Sequence, residues 1–129
     1  MKLLLDTHAF LWFVSGDEKL STKARLAIEN VENDRFLGIA SLWEIAIKNS
    51  LGRLELGIPI PDLVNSHVIG NSIGLLQIKP EHLEYLRALP FHHRDPFDRL
   101  ILAQCFQEQM ILLSRDEIFD QYGEIERYW

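Results

Sequence analysis

A single cysteine, Cys105, stands in the 129 residues. No disulfide can close within the chain, and a reduced, intracellular setting is the expectation. Long apolar runs are missing too. No stretch approaches the ~18 uninterrupted apolar residues of a membrane helix, and Asp6 breaks the leucine run at Leu3 too early for a signal-peptide core. Positive charge is scarce: 13 Lys and Arg against 19 Asp and Glu leave a net charge of −6. That balance excludes a generic basic coat for nucleic-acid phosphates. It leaves room for an enzyme that meets nucleic acid through a metal and a few local cations. Repeats and low-complexity tracts are absent. The expectation is one soluble, cytoplasmic domain over residues 1–129, with no membrane contact.

What is present is an alternation of short apolar runs and helical patterns. Lys2-Leu3-Leu4-Leu5 reads as a strand buried on both faces, and it runs straight into Asp6-Thr7-His8. A short helix over His8 to Val14 follows, ended by Gly16 and Asp17. Ser21 is placed to cap a helix from Thr22 to about Val31, with Leu20 as a hydrophobic staple. Arg35 to Ile39 reads as a second strand. Ser41 and Glu44 have capping-box spacing, which predicts a helix running to about Ser50. Gly52, Gly57, Pro59 and Pro61 mark an irregular connection, then Asp62 to Ile69 reads as a modest helix. Leu75 to Ile78 is a third strand, and Pro80 opens a helix through Leu89. Asp95 and Pro96 are a strong helix start, the helix reaching about Gln109. Met110 to Leu113, a short helix near Ile118 to Gln121 and a strand near Ile125 to Tyr128 close the chain. Such alternation predicts an α/β layered fold, with a mainly parallel central sheet flanked by helices.

Four acids stand where this layout turns functional. Asp6 and Asp116 follow buried strands, so both should emerge at the carboxyl edge of the sheet, where open parallel sheets bind ligands. Glu44 and Asp98 lie in the first turns of helices that can start at the same edge. Each has a purely structural explanation: Glu44 closes a capping box with Ser41, Asp98 caps beside Asp95, Asp6 caps the next helix, and Asp116 shapes a turn. Together they make a different case. Carboxylates gathered at one edge repel each other, and no cation is obviously placed to neutralise them all. Mg²⁺ or Mn²⁺, hard ions that prefer oxygen, would do so. A cluster of this kind fits metal-assisted phosphodiester hydrolysis.

These motifs resemble a known family. Leu4-Leu5-Asp6-Thr7-His8-Ala9, Trp43-Glu44-Ile45-Ala46, Asp95-Pro96-Phe97-Asp98-Arg99-Leu100-Ile101-Leu102-Ala103 and Leu113-Ser114-Arg115-Asp116 look like the four successive motifs of PIN-domain proteins, closest to the VapC-type toxins of type II toxin–antitoxin systems. The resemblance implies a PIN-like three-layer sandwich. It also implies an Mg²⁺- or Mn²⁺-dependent endoribonuclease, usually a homodimer, restrained by a small antitoxin. Carried over by position, Asp6, Glu44, Asp98 and Asp116 form the acidic site. Asp6 and Asp98 are the direct metal ligands, and Glu44 and Asp116 bind directly or through water. Thr7 and Ser114 orient carboxylates or waters; many relatives have threonine where Ser114 stands, and the hydroxyl is kept.

Arg94, Arg99 and Arg115 flank the acidic edge, as RNA-phosphate contacts or as solvated and paired surface charge. His92 and His93 adjoin the Asp95 loop, but without ligand spacing they read as histidines with no metal role. Cys105 reads as a core thiol. The all-apolar stretch Phe10 to Val14 either lies central to the core or meets another chain, and Tyr128 and Trp129 either pack down or add a sticky surface. Two other functions compete. A receiver-like phosphoacceptor domain would have paired acids after the first strand and a late lysine, and the chain has neither arrangement. A catalytically silent PIN-like binding module would have no need of all four carboxylates.

Overall fold

A computed structural model describes residues 1–129. Five strands form one sheet: β1 (Lys2–Leu5), β2 (Asp34–Gly38), β3 (Gly74–Leu76), β4 (Ile111–Leu113) and β5 (Arg127–Tyr128). Every neighbouring pair is parallel, in the order β3-β2-β1-β4-β5. Leu5 sits in register with Leu37 on one side and Leu113 on the other, so β1 is the central strand. The order is not the 2-1-3-4-5 of receiver-type sheets, which removes that alternative. The chain leaves β1 toward β2 and comes back to its other side at β4. The crevice between their carboxyl ends is therefore the topological switch point, the place where such sheets bind ligands.

The three leucines of β1 explain the layering. Side chains alternate along a strand. Leu3 and Leu5 join one core with Phe10, Ile28, Leu37 and Ile45, and Leu4 joins the opposite core with Ile101, Leu102, Leu112 and Phe119. Helices α1 (Thr7–Ser15), α2 (Thr22–Glu29) and α3 (Ile39–Ser50) cover the first face. Helices α5 (Pro80–Ala88) and α6 (Pro96–Glu108) cover the second. The result is the three-layer arrangement expected of a buried parallel sheet. The predicted helix near Asp62 exists in irregular form: α4 (Ile60–Leu63) widens into a π-type turn over Val64–Val68 and tightens into a 3₁₀ turn at Ile69–Asn71. No helix is long and apolar enough to cross a membrane.

Two sequence expectations are corrected. The capping box of Ser41 and Glu44 does not form, because α3 begins at Ile39 with Gly38 as its cap residue. Ser41 and Glu44 therefore lie inside the helix, both buried. Arg99 is also no phosphate ligand. It is 5% exposed, and its guanidinium donates to the carbonyls of Leu86, Leu89, Pro90 and His93 while lying over the Phe91 ring. A guanidinium with its donors in a fixed fork is suited to this task, and four carbonyls leave it nothing to offer RNA.

That corner decides where α6 starts. Lys79 and His82, at the start of α5, meet Glu108 at the end of α6, so the two helices are antiparallel. The end of α5 and the start of α6 thus share one end of the layer, joined by the loop that Arg99 gathers. Tyr122 braces the same loop, donating to the Pro90 carbonyl at 2.8 Å and accepting from the His93 amide at 2.8 Å. Replacing Arg99 with Ala would strand several of these carbonyls without donors. We expect Arg99→Ala to lose about 2–4 kcal/mol in urea unfolding, whereas Arg94→Ala, at an exposed position, should stay within ~0.5 kcal/mol. Equal small losses at both positions would contradict the structural role of Arg99.

Candidate metal centre

The geometry grows from the switch point. Asp6 follows β1 directly, and its amide donates to the Leu113 carbonyl at 3.0 Å, which carries the sheet pairing one residue past the strand. Its Oδ1 accepts the His8 amide at 3.3 Å and caps α1. Its Oδ2 accepts the Ser114 hydroxyl at 2.6 Å. Ser114 in turn accepts the Asp116 amide at 3.1 Å, so one hydroxyl ties the acid after β1 to the turn after β4. Asp6 is both a cap and a member of the site.

Glu44 projects from the second turn of α3 into the same region. It is 5% exposed, and its ion pair with Lys48 at 2.6 Å uses only Oε2. Oε1 is buried without a hydrogen-bond partner. Buried polar atoms are normally satisfied, so this oxygen points to a ligand yet to be supplied. The Glu44–Lys48 spacing of i, i+4 is itself a sequence signal for the pair. Next to Glu44, Trp43 packs edge-on against Phe97 with centroids 5.1 Å apart, holding α3 against α6 at the level of Asp98.

Asp98 sits one turn into α6. Asp95 performs the cap, its Oδ1 accepting the amides of Phe97 and Asp98 at 2.9 and 3.1 Å. The Asp98 carboxylate is left free to face the other acids. Burial pushes its pKa up, and the charges of Asp6, Asp95, Glu44 and Asp116 push it further, to about 8. Burial likewise raises Asp6, against the lowering effect of the Ser114 hydrogen bond. Asp6, Glu44 and Asp116 thus all lie near enough for their charges to act on Asp98.

His93, to which the sequence assigns no metal role, stands beside them. Its Nε2 lies 2.8 Å from Asp98 Oδ2 and 3.5 Å from Asp116 Oδ2. The shorter contact lacks the alignment of a hydrogen bond, so Nε2 has no aligned partner. One ligand atom each from His93, Asp98 and Asp116 lie within 4.8 Å of one another. The Asp95 amide points at Nδ1 from 3.3 Å, which assigns the proton of the neutral ring to Nε2. In that tautomer His93 offers an N–H to the carboxylates rather than a lone pair to a metal. The adjacency of His93 to Asp95 was visible in sequence; its approach to Asp116 was not.

The remaining predicted residues fall in two groups. Arg115 is exposed beside Asp116, and Arg94 is exposed on the loop before α6. Thr7 and Arg99 are elsewhere engaged. Thr7 donates its hydroxyl to buried Ser41 at 2.8 Å and so pins α1 to α3, touching no carboxylate. Arg99 is consumed by the loop carbonyls described above. Cys105 is a buried core thiol whose pKa burial pushes well above its ordinary value. What the site can do chemically follows from its donors. Carboxylate oxygens from four elements, one of them an orphan, suit a hard divalent cation that keeps some of its waters.

Comparisons with known proteins bear on the family and the fold. The model of the PIN domain family matches residues 3–125. Ribonuclease VapC22 of Mycobacterium tuberculosis (strain ATCC 25618 / H37Rv) is 28% identical over 117 residues, covering 88% of this chain and 86% of that protein. Among solved structures, VapBC2 from Rickettsia felis, bound to a DNA fragment from its promoter, superposes with a TM-score of 0.71 at 12% identity, covering 99% of this chain and 98% of that one. A toxin–antitoxin complex from Klebsiella pneumoniae gives 0.63 at 16% identity, covering 95% and 94%.

The raised Asp98 sets the sign of a pH effect. Unfolded, this carboxyl ionises near 3.8; folded, it keeps its proton to about 8. The folded chain binds the extra proton between those values, so stability falls as pH rises from about 4 to about 8 and then levels. An amide cannot ionise. In metal-free buffer Asp98→Asn should therefore gain ~1–3 kcal/mol over the native chain at pH 8 and little at pH 4. Paired urea titrations at the two pH values measure this, and a gain that does not depend on pH would refute the buried-acid reading.

Proposed function

The chain belongs to the PIN domain family, and from that premise we propose that it is a divalent-metal-dependent endoribonuclease, the VapC-type toxin of a type II toxin–antitoxin pair. The observation that carries the reading is the gathering of Asp6, Glu44, Asp98 and Asp116 at the switch point, with Glu44 Oε1 buried and unpartnered. A silent binding module would gain nothing from such repulsion.

Asp6 and Asp98 would hold the metal directly, and Glu44 and Asp116 would hold it directly or through water. When bound, Mg²⁺ or Mn²⁺ offsets the carboxylate charge, polarises the scissile phosphate and makes water a stronger nucleophile near neutral pH. The chain's own groups prepare for this. Ser114 fixes the Asp6 carboxylate by its 2.6 Å hydrogen bond. Lys48 takes one Glu44 oxygen and leaves the other facing the site. His93 stands against Asp98 and Asp116 with its N–H available to either. A bound cation would favour the ionised form of Asp98, whose proton burial and the neighbouring acids otherwise hold to about 8. Arg94 and Arg115 are the exposed cations left to meet RNA phosphates.

Two protein partners complete the proposal. An antitoxin is supported by the toxin–antitoxin complexes among the structural relatives. It is also supported by a cavity of about 510 Å³ beside α1, where Leu11, Val14, Leu54, Leu56 and Ile58 stay only partly covered. A second copy of the chain is supported by Trp43, 59% exposed on α3.

The test is RNA cleavage by the purified protein with Mg²⁺, Mn²⁺ or EDTA, beside Asp6→Asn and Asp98→Asn. EDTA should abolish cleavage, and each substitution should reduce it at least ~100-fold. Cleavage that ignores EDTA or survives both substitutions would overturn the mechanism.

A further inference from the structure

One cavity of about 560 Å³ joins the acidic edge to an aromatic wall. Asp6, Asp98, Asp116 and Glu117 line it together with His8, Trp12 and Arg115. The volume falls in the ~300–1,000 Å³ range of small-ligand sites. His8 and Trp12 are one helical turn apart on α1, and their rings stack with centroids 5.8 Å apart and planes 29° apart. Trp12 is held from several sides. Its ring meets Trp129 edge-on at 6.0 Å, and the Arg115 and Lys19 cations lie 5.8 and 5.9 Å from it. It also packs against the core formed by Leu5 and Phe10. His8, by contrast, is exposed, and its backbone amide is anchored to Asp6 Oδ1. The imidazole thus stacks with Trp12 while staying exposed at the cavity that the carboxylates line.

We infer that this His8–Trp12 pair, with Arg115, is a stacking subsite for the nucleobase adjoining the phosphate held at the acidic edge. The inference rests on the nuclease reading above and adds how the substrate is gripped. Single-stranded RNA is recognised largely by stacking unpaired bases on aromatic and guanidinium planes. A chain with a net charge of −6 cannot grip RNA by charge over a broad surface. A flat ring stacked on an anchored tryptophan supplies affinity that does not depend on that charge. Arg115 and Lys19 add positive charge beside the same ring. Carboxylates and rings line the same cavity, so a phosphate held by the acids leaves its base within reach of the rings.

The test compares binding of a fluorescein-labelled single-stranded oligoadenylate with that of an abasic ribose–phosphate chain of equal length. Both are titrated by anisotropy on the full chain carrying Asp98→Asn, so that the RNA survives. The oligoadenylate should bind about 5- to 100-fold tighter than the abasic chain. His8→Ala, at an exposed position, should erase most of that difference. Trp12→Phe, which keeps a ring, should retain part of it. Equal binding of the two chains, or discrimination that survives His8→Ala, overturns the subsite. The nuclease reading is scored separately by Mg²⁺-dependent cleavage with the native chain. Cleavage without base discrimination removes the subsite alone. Discrimination without cleavage keeps the subsite and removes the nuclease reading.

Discussion

Like charges brought together out of water are the constraint on which this structure turns. Asp6 and Glu44 are only 6% and 5% exposed, and Asp98 shares their surroundings closely enough to hold its proton to about 8. Burying a charge is costly unless it is paired, hydrogen-bonded or bound to a metal. The fold answers each acid differently. Ser114 and the His8 amide bond to Asp6, Lys48 pairs with one oxygen of Glu44, and His93 stands against Asp98. None of these removes the collective repulsion. The surrounding core must outweigh that repulsion, and on the proposed reading a bound cation would relieve it.

The core does so by symmetry about β1. Leucines alternating to both faces place the central strand between two apolar layers, and the sheet's parallel order puts the ends of β1 and β4 side by side. Asp6 is therefore held by strand pairing up to the residue itself. The second layer depends on one buried cation. Arg99 satisfies four carbonyls of the loop between α5 and α6, and that loop sets both the start of α6 and the position of His93. Arg99, on α6 itself, thus helps fix where that helix begins and so where Asp98 stands.

Proximity in the chain misled where proximity in space decided. Ser41 and Glu44 match a capping box in every local respect, yet Gly38 starts the helix earlier and turns both side chains inward. The same three-residue spacing between Asp95 and Asp98 divides the labour, one acid capping and the other facing the site. Arg94, Arg99 and Arg115 are equivalent as letters beside acids. Burial separates them, because Arg99 lies on the inner face of α6 while the other two stay on exposed turns.

The sequence by itself determined most of the elements and the parallel layered class, and it singled out the four acids. Buried strands, helix caps and chain-local acids are written in short-range patterns: the leucine run at Leu3, Pro96 after Asp95, Asp116 just past a strand. The tertiary structure alone decided which of their neighbours matter. That His93 reaches Asp116 and Ser114 reaches Asp6 depends on contacts 23 and 108 residues apart, made by strand order and the α5–α6 corner. No local pattern encodes such contacts, because they arise only when two apolar layers close on one sheet and leave their charged ends at a common edge.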